Sequence, residues 1–309
     1  MKILASRRFP GPAWDELDDV EYLAAALPDG IEGAGDDVEA LAVVGETIDG
    51  RTLKLLPNLR LIANYGVGYD SIDVAACAAR GVMVTNTPGV LTSATADLTF
   101  ALLLAVRRRV VVGDRAVREG RWVGGWADPD YLGRAVAGAT LGIVGLGRIG
   151  RAVARRAEAF EMRVIHHSRR RRDGGWHELD ELLATADAVT LHVPLTSETQ
   201  GLLDAARLAL LRDGACLINT ARGLIVDEPA LVHELVSGRI EAGLDVFAHE
   251  PNVPDELLGL PNVVLTPHIG SATAETREAM TRVLVDNLLA VARGEKPPNL
   301  VYPDSLAAP

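Results

Sequence analysis

The chain has little cysteine, no long apolar run and no surplus of positive charge. Its two thiols, Cys77 and Cys216, sit in separate apolar segments. They supply neither a disulfide framework nor a metal-ligand spacing, which fits a reducing compartment. The longest apolar stretch, Phe100 to Val106, lies between Asp97 and Arg107-Arg108-Arg109, far short of the roughly 20 residues that cross a bilayer. Met1-Lys2-Ile3-Leu4-Ala5 is followed by Arg7-Arg8, too soon for the apolar segment of a signal peptide. With 42 acidic against 31 basic side chains the formal net charge is −11, which argues against nonspecific attraction to nucleic acid or an anionic membrane. No solenoid-length repeat is present. These absences lead us to expect a cytoplasmic protein with no metal, membrane or nucleic-acid partner.

What is present is globular: 48% hydrophobic and 24% charged residues over 309 positions, too many for one ordinary core. Strands are expected at Lys2–Ala5, Val20–Leu23, Leu41–Val44, Leu59–Ala63 and Val82–Thr85, with helices such as Thr52–Leu56 and Ile72–Arg80 between them. A single long helix is expected from Ala94 to about Val111, capped by Thr92 or Ser93. A second alternating series places strands at Leu141–Val144, Arg163–His167, Ala188–His192, Ala215–Asn219, Glu241–Leu244 and Val263–Leu265. A last helix, Ala274 to Arg293, ends at Gly294 before Pro297-Pro298. Alternation of this kind predicts an α/β protein with two parallel sheets covered on both faces.

The strand Leu141–Val144 runs into Gly145-Leu146-Gly147-Arg148-Ile149-Gly150 and then an Ala- and Arg-rich helical pattern. Glycines in that spacing permit a tight bend, close approach of backbone to a pyrophosphate, and close packing of helix on strand. The following helix points its positive end at the phosphates. A dinucleotide site is therefore expected here. Three polar clusters follow later strands, at the edge where ligands bind in such sheets: Asn219-Thr220-Ala221-Arg222-Gly223, Asp245 to Pro251, and Thr266 to Ser271. Alone, Arg222 reads as a surface ion pair, Glu250 as a loop carboxylate and His268 as a capping group. Together beside a nucleotide, they form an acid–base set. Reduction of a 2-keto acid needs a planar cation for its carboxylate and a proton donor for its oxygen, which Arg and His supply. A carboxylate at Glu250 orients the imidazole and favours its charged form.

Asn-Thr-Pro-Gly-Val-Leu-Thr (86–92), Thr-Ala-Asp (95–97), the glycine turn, Thr-Ala-Arg-Gly (220–223), Gly-Leu-Asp-Val-Phe (243–247) and Leu-Thr-Pro-His-Ile-Gly-Ser-Ala-Thr (265–273) together resemble the D-isomer-specific 2-hydroxyacid dehydrogenases. Within them the chain is similar to glyoxylate/hydroxypyruvate reductases through Asn64 to Asp70 and the tail Arg293 to Pro298. The resemblance implies a flavodoxin-like substrate domain (1–98 and 285–309) around a Rossmann dinucleotide-binding domain (99–284), with substrate in a cleft between them that closes. It implies that Arg222 binds substrate, Glu250 pairs with the histidine and His268 donates the proton. Val67, Gly68 and Leu91 would line the substrate pocket, and Asp245 would hold the nicotinamide carboxamide. Further cofactor contacts are implied at Thr95, His192, Val193, Pro194, Thr199, Thr220, Ala221 and Gly270. A homodimer is implied, with the helix near Ala94 in its interface. Trp122 and Trp126 read as packing residues, although an aromatic of this loop in similar proteins reaches the neighbouring subunit's site. Similar formate-oxidising proteins carry glutamine where this chain has Glu250, and phosphite-oxidising ones carry lysine at Val67. The stretch Arg172 to Trp176 is shorter than in the family.

NAD-users of this fold carry an acid about 20 residues past the glycines for the ribose 2′-hydroxyl. Here Ser168 takes that place, followed by Arg169-Arg170-Arg171-Arg172. A Ser hydroxyl and Arg169 or Arg170 suit a 2′-phosphate, so NADP(H) is expected over NAD(H). His166 and His167 have no ligand partners at metal spacing. The alternatives carried forward are an NAD-linked dehydrogenase of lactate- or mandelate-like acids and a nucleotide-sensing protein similar to co-repressors.

Overall fold

The computed structural model describes residues 1–31, 36–124, 128–171 and 174–301. In chain order the first strands and helices are β1 (Lys2–Ala5), β2 (Val20–Tyr22), β3 (Val38–Val43), α1 (Gly50–Leu55), β4 (Leu61–Asn64), α2 (Val74–Ala79) and β5 (Met83–Thr85). Asp49 and Asp73 cap α1 and α2 through their carboxylates. Then come α3 (Thr92–Arg107), α4 (Val110–Arg118), β6 (Thr140–Val144), α5 (Arg148–Ala159), β7 (Arg163–His167), α6 (Leu179–Thr185) and β8 (Ala188–Leu191). The series continues with α7 (Ala205–Leu210), β9 (Cys216–Asn219), α8 (Glu228–Val236), β10 (Glu241–Leu244), β11 (Val263–Leu265), α9 (Ala274–Ala292) and β12 (Leu300–Val301).

Contacts divide the chain into a unit of Met1–Leu91 plus the segment from Ser271 onward, and a unit of Thr92–Gly270. The cuts fall just before α3 and α9, ahead of the expected 98/99 and 284/285. Each helix is retained whole: α3 packs on α5, β9 and β10, and α9 packs on β4. In the first unit the sheet order is β12-β5-β4-β3-β1-β2, parallel except for β12, which pairs antiparallel with β5. Leu41, Val43, Ile62 and Val84 bury one face against Ile48, Leu53 and Leu56.

In the second unit all six strands are parallel, in the order β11-β10-β9-β8-β6-β7. Successive residues feed opposite faces, as the pleat requires. Leu141, Ile143, Cys216 and Ile218 join α3 and α5, while Val144, Val189 and Leu217 join α6, α7 and α8. A sheet covered twice demands near-continuous apolar strands, which is why these segments are legible in sequence. The order reverses between β6 and β8, so the ligand crevice lies past their C-terminal ends. The short connection after β7 adds a one-residue bridge, His166 to Trp176, on the outer edge of β7.

The expected single helix from Ala94 to Val111 is instead two. α3 ends at Arg107, and Arg109 turns the chain at φ 52° before α4 begins. The break is tertiary in origin: the buried Arg107 guanidinium donates to the carbonyls of Ala135 and Asp187, and Arg109 donates to that of Asp130. Trp122, expected to pack, is 63% exposed. Trp126 and Arg172 lie outside the described residues.

Candidate active site

The three glycines after β6 do three different jobs. Gly145 has φ 99°, and a Cβ there would stand 2.5 Å from the His192 carbonyl oxygen. A Cβ on Gly150 would stand 2.1 Å from the Gly145 carbonyl oxygen, so helix and turn pack without a side chain between them. Gly147, the N-cap of α5, has nothing within 4 Å of its would-be Cβ. That open middle position, at the start of a 12-residue helix, fits the pyrophosphate of a dinucleotide. Leu146 and Ile149 are half-buried there, and Arg148 is exposed.

Around this turn the other expected cofactor residues divide. At the end of β7, the Ser168 hydroxyl donates to the Arg170 carbonyl at 2.8 Å, and Arg169 reaches Glu198 at only 3.7 Å. Across the crevice His192 shares a 2.9 Å hydrogen bond with Thr190. Burial pushes its imidazolium down to about 3, so the ring is neutral. Val193 and Pro194 follow it, but the Thr199 hydroxyl is engaged in its own turn, donating to the Pro194 carbonyl at 2.6 Å and accepting from the Thr196 amide at 2.8 Å. Thr95 and Thr99 on α3 lie beside the last loops. Thr99 meets Thr220 at 3.1 Å, and a Cβ on Gly270 would stand 3.6 Å from Thr95.

Glu250 and His268 pair within the second unit, and the charge of Arg222 acts on Glu250. Asn219 ties down the first loop, accepting from the Ala221 amide and donating to the Arg222 carbonyl. Gly223 lets that loop touch the next, since a Cβ there would stand 2.0 Å from the Phe247 carbonyl carbon. Glu250 accepts from the Phe247 amide at 3.1 Å and pairs with His268 Nδ1 at 2.7 Å. Burial works to raise the Glu250 pKa, but the hydrogen bond and charge of His268, the Phe247 amide and the charge of Arg222 together hold it below the usual carboxylate range. His268 sits at φ 52°, a left-handed conformation that costs an imidazole residue on the order of 1 kcal/mol.

Asp245 holds His268 there. Its carboxylate is fully buried and accepts from the Thr266 hydroxyl at 2.6 Å and from the Ile269 and Gly270 amides at 2.8 Å each. Its carbonyl accepts from the His268 amide at 2.9 Å. Burial raises its pKa against those donors. The Asp245 carboxylate is thus anchored on the 266–270 loop, and its place as the expected partner of a carboxamide belongs to the functional reading. Thr266 was legible only as part of the Leu-Thr-Pro-His string, and the bond from the Ala248 amide to Glu228 had no sequence signal.

In the first unit Asn64 donates to the carbonyls of Gly66 and Gly68, Asn86 to that of Val67, and the Thr87 amide to that of Gly66. With the carbonyls turned inward, the amides of Val67 and Gly68 take no backbone partner among the described residues, as an anion-binding loop requires. Leu91 is buried nearby in sequence at the end of that unit. Among the described residues no group of three or more His, Cys, Asp or Glu could hold a metal ion, and no helix is long and apolar enough to cross a membrane.

The model of the family described as "D-isomer specific 2-hydroxyacid dehydrogenase, NAD binding domain" matches residues 100–270. A glyoxylate reductase of Thermococcus litoralis is 49% identical over 284 residues, covering 88% of this chain and 86% of the relative. A crystal structure of a Thermus thermophilus protein superposes with a TM-score of 0.91 at 47% identity, covering 98% of this chain and 100% of that one. An NADPH-dependent glyoxylate/hydroxypyruvate reductase of Sinorhizobium meliloti, in complex with NADP and malonate, superposes with a TM-score of 0.86 at 39% identity, covering 97% and 96%.

Proposed function

The chain belongs to the D-isomer specific 2-hydroxyacid dehydrogenases, and on that footing we propose that it reduces small 2-keto acids, glyoxylate and hydroxypyruvate foremost, with NADPH preferred over NADH. It is an NAD(P)-dependent dehydrogenase, and the observation that carries the finer reading is the 2.7 Å pair of Glu250 and His268 with Arg222 beside it.

Arg222 binds the substrate carboxylate and polarises the keto group. With Nδ1 engaged by Glu250, Nε2 of His268 is the nitrogen that gives the proton to the keto oxygen. Bound nicotinamide supplies the hydride to the keto carbon. Gly145 to Gly150 and the start of α5 would hold the pyrophosphate, Ser168 with Arg169 and Arg170 the 2′-phosphate, and Thr95, His192, Val193, Pro194, Thr220, Ala221 and Gly270 the remainder. Thr199, whose hydroxyl closes the turn after Pro194, would join them. What favours NADPH is the serine at the end of β7, where an acid would repel the phosphate, and the loose Arg169–Glu198 contact, which a phosphate can replace.

The reading extends to a homodimer. Val110 and Val117 of α4, with Trp122 and Leu132, expose apolar surface that a second copy would cover.

A steady-state panel of glyoxylate, hydroxypyruvate, pyruvate and phenylpyruvate against both cofactors tests all of this. The two small acids with NADPH should give the highest kcat/KM. Equal or better turnover with NADH would overturn the cofactor reading, and inactivity toward every keto acid would favour a nucleotide sensor.

A further inference from the structure

Arginines in succession repel one another, and an exposed turn that carries Arg169, Arg170 and Arg171 has no intrinsic reason to hold one shape. Here the turn is held from outside. Gly174 and Gly175, at φ 84° and 103°, bring the chain back to the edge of β7. There the His166 amide donates to the Gly175 carbonyl at 2.8 Å and the His177 amide to the His166 carbonyl at 2.9 Å. The indole of Trp176 then lies against the turn. Its Nε1 donates to the Ser168 carbonyl at 3.0 Å, and the Arg171 guanidinium sits 5.1 Å from the ring centroid. The His167 ring lies 5.9 Å away on the strand itself, tilted by 35°.

We propose that Trp176 is a specificity-determining positioning residue that shapes the 168–171 turn for a 2′-phosphate. The inference rests on the NADPH reading and deepens it. The indole fixes the backbone of Ser168 and draws Arg171 aside by cation–π attraction, which lowers repulsion at the turn. Ser168 Oγ closes the same turn on the Arg170 carbonyl; a 2′-phosphate would take over that single proton while the backbone held by Trp176 stays in place, so less of the loop is ordered on binding. The bridge to β7 is what delivers the indole: Trp176 follows Gly175 directly and pairs with His166.

The test is calorimetric titration of the whole protein with adenosine 2′,5′-bisphosphate and with adenosine 5′-monophosphate, which needs no turnover. Trp176→Phe removes the donor and keeps a ring; Trp176→Leu removes both, and melting curves check that each folds. We expect the bisphosphate to bind about three- to tenfold more weakly to Trp176→Phe, and more weakly still to Trp176→Leu, with the monophosphate unchanged. Equal weakening of both ligands, or no weakening, overturns the proposal even if the wild type prefers the bisphosphate. A wild type that does not discriminate, and does not respond to Ser168→Asp with Arg169→Ala, brings down the NADPH reading and this inference with it.

Discussion

His268 is held in place by its neighbours. Asp245 fixes its backbone, Glu250 fixes its ring, and Arg222 adds charge beside Glu250. Replacing His268 by Gln should lower kcat by about 10²–10⁴-fold, the usual contribution of a positioned acid, while NADPH affinity measured by fluorescence titration stays nearly constant. His192 supplies a pH dependence. Its pKa falls from 6.5 to about 3 on folding, so the unfolded chain takes up the proton first. Its contribution to stability is complete above 6.5 and is lost as pH falls toward 3. Melting temperatures taken from pH 7.5 down to about 4.5 should therefore decline, and His192→Asn should flatten that decline. Arg222, Glu250 and His268 were legible because each follows a strand whose apolar run marks the ligand edge. Trp176 was not, because its partners depend on where the returning chain meets β7.

At the level of elements, the glycine turn separates folding from binding. Gly147→Ala should leave the melting temperature nearly unchanged and weaken the cofactor, since its Cβ meets open space where a pyrophosphate would lie. Gly150→Ala should instead destabilise the protein, because its Cβ would stand 2.1 Å from the Gly145 carbonyl oxygen. Calorimetric melting with and without NADPH distinguishes the two outcomes. Strands of the doubly covered sheet could be read to within a residue or two from their composition. The α3–α4 break could not: Val106 to Val111 continues a helical pattern, and the carbonyls that hold the Arg107 and Arg109 side chains at the break, those of Ala135, Asp187 and Asp130, are remote in sequence.

At the level of the whole molecule, the apolar side chains of Val110, Val117, Trp122 and Leu132 predict a dimer in sedimentation velocity. Val117→Asp should shift it toward monomer, whereas an unchanged monomeric wild type would remove the dimer from the reading. The two-unit organisation was legible from length and from the repeated alternation, but the points of crossing were not, since the sequence pattern runs smoothly through the helices that begin there. The discontinuity carries a consequence for synthesis. The first unit lacks its covering helix, with Met280, Leu284, Val285 and Leu288 on the buried side, until synthesis has passed Ala292. β5 waits just as long for β12. The contiguous second unit can finish folding first, while the first unit must wait for α9 and β12. A nascent chain stalled near residue 270 would thus offer chaperones an unfinished sheet at its beginning, not at its growing end.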